Sequence, residues 1–243
     1  MKGSVLVTGG ARRIGLAICE ELSARGWRVL AHSRDPQNPL CADFTRPDAA
    51  DRLFAAAVAQ APDLCAIVNN AAVFSTVTEM PPEEAAVLWA VNVTVPVRLT
   101  ELLAARLAER HAAGAVVNLL DTRILNDLRV IKDPEGINDL EVTEVSSAPK
   151  SFAPYVASKL ALARATVAQA RSLAPVLRVN GVAPGPVLPP PDAANREKGG
   201  PILLPRRPTP GDVAAAVAFL LDAGTVTGQI LAVDSGQHIL HDA

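Results

Sequence analysis

The only tyrosine of the chain stands four residues before a lysine, in Tyr155-Val156-Ala157-Ser158-Lys159, at the head of an alanine-rich stretch. On a helix, the i, i+4 spacing stacks phenol and ammonium on one face, where the positive charge favours phenolate over phenol. An ordinary tyrosine titrates near pH 10, and each unit of depression takes about 1.4 kcal/mol. The pair therefore suits proton transfer to or from a small substrate. Taken alone, the pattern also describes a helix-surface Tyr/Lys pair, so the rest of the chain must decide.

A second constellation lies near the N-terminus. Thr8-Gly9-Gly10-Ala11-Arg12-Arg13-Ile14-Gly15 follows a strand-like run and leads straight into a helix. Glycines there permit a tight turn and a close approach to a pyrophosphate, whose charge the helix N-terminus stabilises. Adjacent arginines in a first helical turn oppose the macrodipole by about 0.3–1 kcal/mol each, a penalty that a bound anion removes. Gly9, Arg12, Arg13, Ile14 and Gly15 are thus the expected dinucleotide cradle. A strict dinucleotide fingerprint has an acid at the end of the second strand. Here that strand ends Ala31-His32-Ser33-Arg34. Beside Ser33, Arg34 can pair bidentately with a 2′-phosphate, so NADPH is favoured over NADH. Asp35, one residue further, works against that preference.

These groups need a scaffold, and the chain supplies one by alternation. Short apolar runs at 4–7, 28–31, 64–68, 115–120, 176–182 and 229–233 read as strands of a parallel sheet covered on both faces. Helical periodicity fills 14–25, 47–60, 83–89, 95–110, 152–172 and 211–221. Repeated strand–helix units predict an α/β fold, a doubly wound parallel sheet flanked by helices, in one catalytic domain over 1–243. Two stretches break the alternation. The segment 122–150 has no long helical period and is acidic in its second half, with a possible hairpin arm at 140–145, and 184–208 is rich in proline and glycine. Both are expected near the carboxyl ends of the strands, the second as a substrate loop, though a solvated insertion describes 122–150 equally well.

Composition excludes other classes. Of 243 residues, 23 are Lys or Arg and 25 Asp or Glu, which leaves no basic surplus for nucleic acid or an anionic membrane. No uninterrupted apolar run has membrane-spanning length and no leader pattern is visible, so a soluble cytoplasmic protein is expected. Cys19, Cys41 and Cys65 read as small buried thiols, not a disulfide frame or a metal site. His238 and His241 read as tail residues, and no metal is expected.

The order of these motifs resembles the short-chain dehydrogenase/reductase family over nearly the whole chain. The Thr8-Gly9 turn is followed by Asp43, Asn69-Asn70-Ala71-Ala72, Asn92, Tyr155 with Lys159, Pro184-Gly185 and the run from Thr227 to Gly236. The resemblance implies a Rossmann fold binding NADP(H). It implies Tyr155 as proton donor or acceptor, Lys159 on the nicotinamide ribose lowering the tyrosine pKa, and Asn92 supporting a relay water. Asp43, Asn69, Ala71, Pro184 and Gly185 fall where the family contacts the cofactor. It also implies a homotetramer.

The departures narrow the resemblance. Arg13 stands where glycine is common, and Asn118-Leu119-Leu120-Asp121 ends in an acid where serine is common. Both changes, with Phe74 after the Asn69-Asn70 motif, resemble the pteridine reductase branch. The resemblance implies Phe74 stacking on a flat heterocycle, with Asp121, Arg13 and Tyr155 meeting its polar edge. Phe74 as core packing, Arg13 on phosphate alone and Asp121 as a strand-end cap are the competing readings. Asp121 and Tyr155 are 34 residues apart, further than in the family, and a different register would bring Ser146, Ser147 or Ser151 to the site instead. The expected activity is NADPH-dependent reduction of a pterin-like heterocycle. A carbonyl/alcohol oxidoreductase is the alternative enzyme, and an NADP-sensing protein without catalysis the alternative class.

Overall fold

The computed structural model describes residues 2–77, 79–125, 153–187 and 200–242. Six strands, β1 Ser4–Val7, β2 Arg28–Ala31, β3 Leu64–Asn69, β4 Gly114–Leu119, β5 Leu177–Pro184 and β6 Ile230–Val233, form one sheet in the order β2-β1-β3-β4-β5-β6. Every pairing is parallel. Helices α1 Arg13–Ala24, α2 Ala49–Gln60, α3 Pro82–Trp89, α4 Val95–Glu109, α5 Ala153–Ser172 and α6 Pro210–Asp222 fill the crossovers. This is the doubly wound Rossmann arrangement, with ends displaced by only a residue or two from the sequence expectation. Beyond β2, pairing among the described residues continues as an isolated bridge between Ser33 and Cys41.

Strand periodicity sorts side chains into two cores. Leu6, Ile67, Val116 and Val179 point to the face covered by Leu53 of α2 and Leu99, Leu103 and Leu107 of α4. Val5, Val7, Val68 and Val117 point to the opposite face, against Ile18 and Leu22 of α1 and Val213 and Val217 of α6. Alternation between two buried faces explains why the strands read as continuous apolar runs. The chain leaves β1 toward β2 and returns to pair β3 on its other side. That reversal opens a crevice at the carboxyl ends of β1 and β3, where open α/β sheets bind ligands.

The stretch from Pro82 to Glu109 is continuous, with a π-helical turn at Ala90–Thr94 joining α3 to α4. Pro96 lacks the amide that would continue the α-helical ladder, and Val95 N–H reaches Ala90 instead. By length and composition this stretch passes for a membrane span. Its Leu88, Leu99, Leu103 and Leu107, however, are buried in the protein core.

Of 122–150, only Thr122 to Leu125 belong to the described residues, so the hairpin expected at 140–145 and Ser146, Ser147 and Ser151 lie outside them. The proposed substrate loop is described at 184–187 and 200–208. The cysteines depart from expectation: Cys41 is exposed, while Cys19 and Cys65 are half-buried.

Candidate active site

The turn after β1 is held from within the sheet. Thr8 Oγ1 accepts from the amides of Asn70 and Ala71, both at 3.0 Å, which ties β1 to the segment after β3. Asn70 Nδ2 donates to the carbonyls of Thr8 and Gly9 at 2.9 and 3.1 Å. Gly9 has φ +65°, and a Cβ on Gly15 would lie 2.1 Å from the Gly9 carbonyl oxygen. The first turn of α1 carries no acidic residue and its N-cap, Arg12, makes no side-chain cap. Among the described residues no side chain caps this helix N-terminus, which suits an anion there. Arg13 adopts φ 53°, the left-handed region that costs a non-glycine residue about 1–2 kcal/mol. The chain thus keeps an arginine where glycine fits more easily. Arg12 and Arg34 are exposed, and Ser33 Oγ accepts from the Asp35 amide at 3.2 Å.

At the end of β4 the chain turns into the short 3-10 helix Thr122–Ile124, and Asp121 caps it by accepting from the Arg123 amide at 2.9 Å. The other carboxylate oxygen receives Tyr155 Oη at 3.1 Å and Arg123 Nη1 at 3.0 Å. Asp121 is therefore both a cap and a partner of the phenol. The Phe74 ring meets Tyr155 edge-on, centroids 5.0 Å apart and planes at 72°, and half of Phe74 remains exposed. It is not core packing. Arg123, which sequence reading passed over, lies 5.9 Å above the Phe74 ring. Its signal was available in retrospect, two residues beyond the acid that ends β4.

The i, i+4 spacing on α5 delivers Lys159 beneath Tyr155, its ammonium 5.9 Å from the ring centroid and 2.8 Å from the Leu119 carbonyl. Burial first, and the Asp121 carboxylate second, hold Tyr155 well above its ordinary value, with Arg123 opposing them. A buried phenol beside an anion keeps its proton in the chain without cofactor. Burial pushes Lys159 down to about 8, with Asp121 pulling the other way.

That depression has a thermodynamic consequence. Between about pH 8 and pH 9, below the ordinary thiol range, the unfolded chain keeps the lysine proton that the native one has lost, so stability rises with pH. Above that, Cys19, pushed up to about 11 by burial, and the raised Cys65 and Tyr155 reverse the trend, because the native state then holds the extra protons. Denaturant titrations of the protein without cofactor are expected to show the rise, and Lys159→Met is expected to remove it. A Lys159→Met slope equal to wild type over this interval would show that another group is responsible.

The remaining expected site residues each have partners of their own. Asn92, in the π-helical turn, is fully buried and clasps the main chain of Val73 by a donor and an acceptor bond of 2.9 and 2.8 Å. It also donates to Ser158 Oγ at 3.0 Å. The amide is thereby committed to positioning the segment that carries Phe74 and the helix that carries Tyr155. Asn69 is 2% exposed and donates to Asn118 Oδ1 at 2.8 Å, while its own oxygen is buried without a partner. Asp43 is exposed and accepts from Thr45. Gly185 donates to the Val233 carbonyl and packs against Asp234, where a Cβ would meet Asp234 Cβ at 2.8 Å. His238 is not a free tail residue: Nδ1 lies 2.7 Å from Asp234, whose same oxygen accepts from Thr122 at 2.6 Å. Beside Phe74, a cavity of about 330 Å³ is lined by Val73, Ser75, Met80, Glu83, Glu84 and Val87. Among the described residues no cluster suits a metal ion.

A glycine turn at the crevice of a doubly wound sheet, with Tyr155, Lys159 and Asp121 gathered at the carboxyl end of β4, is an arrangement suited to a dinucleotide-dependent oxidoreductase. Comparison with known proteins places it further. A family model described as short chain dehydrogenase matches residues 3–121, and one described as Enoyl-(Acyl carrier protein) reductase matches 139–238. Dihydromonapterin reductase of Citrobacter koseri is 29% identical, over 97% of this chain and 96% of that protein. The structure of FolM alternative dihydrofolate reductase 1 from Brucella canis, complexed with NADP, superposes with a TM-score of 0.78 at 30% identity. That match covers 98% of this chain and 94% of the other. A metagenomic blue fluorescent protein in complex with NADPH gives 0.75 at 25% identity, over 96% and 97%. The chain belongs to the short-chain dehydrogenase/reductase family and is an NADP-dependent oxidoreductase, with a likeness to the pteridine reductase branch.

Proposed function

We propose that this protein is an NADPH-dependent reductase of a pterin-like heterocycle, of the dihydropterin, dihydrofolate or dihydromonapterin type. The observation that carries the reading is the carboxylate of Asp121, 3.1 Å from the Tyr155 phenol, which itself meets the half-exposed ring of Phe74 edge-on. A flat heterocycle finds there an aromatic face to stack on and an anion to receive its amino and ring N–H groups. The similarity to dihydromonapterin reductase and to FolM supports the same choice.

The residues present fit a dinucleotide. The N-terminus of α1 and the Gly9 and Gly15 cradle suit a pyrophosphate, with Arg12, Arg13 and Ile14 around it. Ser33 and Arg34 suit the 2′-phosphate, Asp43, Asn69 and Ala71 the adenosine side, and Pro184, Gly185 and Lys159 the nicotinamide side. The orphaned Asn69 oxygen is too deeply buried to meet a ligand directly, so that part of the adenosine side is main chain. Reduced nicotinamide, when bound, supplies hydride to a ring carbon. The chain supplies the proton to the neighbouring nitrogen: Tyr155 gives up its Oη hydrogen, which burial and Asp121 have retained for this step. Asp121, with 12% of its side chain exposed, leads a replacement proton from solvent back to the phenol. Arg123 balances the charge of the carboxylate. We further place the protein in the cytoplasm as a soluble homotetramer acting on a small molecule, with no nucleic acid or membrane partner.

NADPH oxidation across dihydropterins, dihydrofolate and simple ketones tests the substrate. Turnover of a dihydropterin that falls in Asp121→Ala is expected, whereas turnover of ketones alone would make the protein a carbonyl reductase. Arg34→Ala tests the cofactor. Losing a charge-assisted pair is expected to weaken NADPH binding roughly 10- to 100-fold and to leave NADH nearly unchanged. Equal losses for both would remove Arg34 from the 2′-phosphate site.

A further inference from the structure

His32 takes part in no step above, yet it is 2% exposed and pinned by three contacts from two segments. Nδ1 lies 3.1 Å from the Gly9 amide, Nε2 lies 3.1 Å from the Ala42 carbonyl, and the ring stacks on Phe44 with centroids 4.4 Å apart and planes at 16°. An amide N–H can be accepted only by an unprotonated Nδ1, and a carbonyl facing Nε2 requires a hydrogen there. The two contacts together define one state: a neutral ring protonated at Nε2.

The consequence lies in the backbone of the glycine turn. In the Thr8–Gly9 peptide, Asn70 holds the carbonyl at 2.9 Å and His32 Nδ1 holds the N–H. In the next peptide, Asn70 holds the Gly9 carbonyl at 3.1 Å and the His32 carbonyl accepts from Gly10 N–H at 2.9 Å. Two consecutive peptide planes are therefore gripped at both ends. Asn70 works from the β3 side and His32 from the β2 side.

We propose that neutral His32 is a positioning residue of the dinucleotide site, fixing the Thr8–Gly9 peptide and tying the phosphate turn to the 42–44 loop, so that protonation of its ring weakens NADPH binding. Protonation turns Nδ1 into a donor facing the Gly9 donor, and the turn must swing away or the ring must leave its stack. The charged and titratable neighbours leave His32 as the responsive group. Arg34, on the same strand end, opposes a positive ring. Cys19 on α1 donates to the Gly10 carbonyl and is pushed up to about 11 by burial, hence uncharged. Asp43 in the facing loop is held below its usual range by Thr45, hence ionised. Burial lowers His32 itself, with the Ala42 carbonyl working the other way. The site therefore stays intact at neutral pH and loosens only in acid.

The proposal rests on assigning the Thr8–Gly15 turn to the cofactor, and the experiment separates the two. NADPH dissociation constants are measured from about pH 8 to about pH 5 for wild type, His32→Asn and His32→Ala. Using one ligand throughout makes its own phosphate titration common to all three. Asparagine can accept from Gly9 N–H but cannot be protonated, so His32→Asn is expected to lose the acid sensitivity, leaving wild type falling roughly tenfold further. His32→Ala is expected to bind weakly at every pH. Imidazole ¹⁵N NMR of the wild type without cofactor, assigned by the resonance missing in His32→Asn, is expected to show the Nε2–H tautomer at neutral pH. Equal pH slopes in wild type and His32→Asn, or a charged or Nδ1–H ring, would overturn the proposal even if His32→Ala fails to fold. Failure of the turn assignment has another signature: NADPH affinity untouched by Gly15→Ala.

Discussion

Tyr155→Phe is expected to lower turnover by roughly 100- to 10,000-fold, the usual contribution of a positioned general acid, while leaving NADPH affinity nearly unchanged. The phenol touches its neighbours in two ways, and phenylalanine preserves one of them. The edge-on packing against Phe74 survives; the hydrogen bond to Asp121 does not. Asp121 keeps both bonds from Arg123, so no buried carboxylate is stranded and the fold stays intact. A fall in turnover with unchanged cofactor affinity would isolate the proton. Full activity in Tyr155→Phe would remove the phenol from the mechanism and leave Asp121 as the donor. Because Tyr155 is the only tyrosine, phenolate absorbance reports on it alone. Without cofactor, titration is expected well above pH 10, in keeping with its burial beside a carboxylate. A phenolate forming near neutral pH would contradict a donor that arrives protonated.

What could be read in advance divides by the range of the interactions. Strands, helices and the glycine turn depend on local periodicity and on backbone freedom, and these are written residue by residue. The placing of Tyr155 over Lys159 follows from helix geometry alone. The protonation of Tyr155 does not, because it is set by Asp121, 34 residues away, and by burial that no local pattern reports. Asn92 shows the same limit. Its type and position point to a site, but its amide, carried on a π-helical turn, is committed to Val73 and Ser158. His32 and Arg123 escaped notice because each gains its meaning from partners brought in by the sheet or by a capped turn. His238 looked like tail until the end of β6 carried Asp234 to Thr122.

Gly15→Ala is expected to weaken NADPH binding by at least two orders of magnitude and to lower the melting temperature. The added methyl would stand 2.1 Å from the Gly9 carbonyl oxygen, 2.6 Å from Asn70 Nδ2 and 2.9 Å from the Gly9 carbonyl carbon. Two of these three are main-chain atoms, and no rotamer change can relieve them. Either α1 backs away from the turn or the Gly9 peptide rotates, and rotation breaks the grip of Asn70 on its carbonyl. Overpacking of a well-filled interior costs about 1–3 kcal/mol even where side chains can adjust, and here the obstacle is backbone. Alanine is the better helix former by about 1 kcal/mol, so a propensity argument alone predicts the opposite sign. Gly224→Ala serves as the comparison. Nothing lies within 4 Å of its added Cβ and its backbone is not left-handed, so that substitution is expected to be neutral or to stabilise by about 0.4–1 kcal/mol through the unfolded chain. Calorimetry and NADPH titration of the two variants side by side decide the matter. Similar behaviour in both would mean that the turn yields more easily than its contacts imply, and that close packing of α1 on the Gly9 peptide is not what shapes the phosphate site.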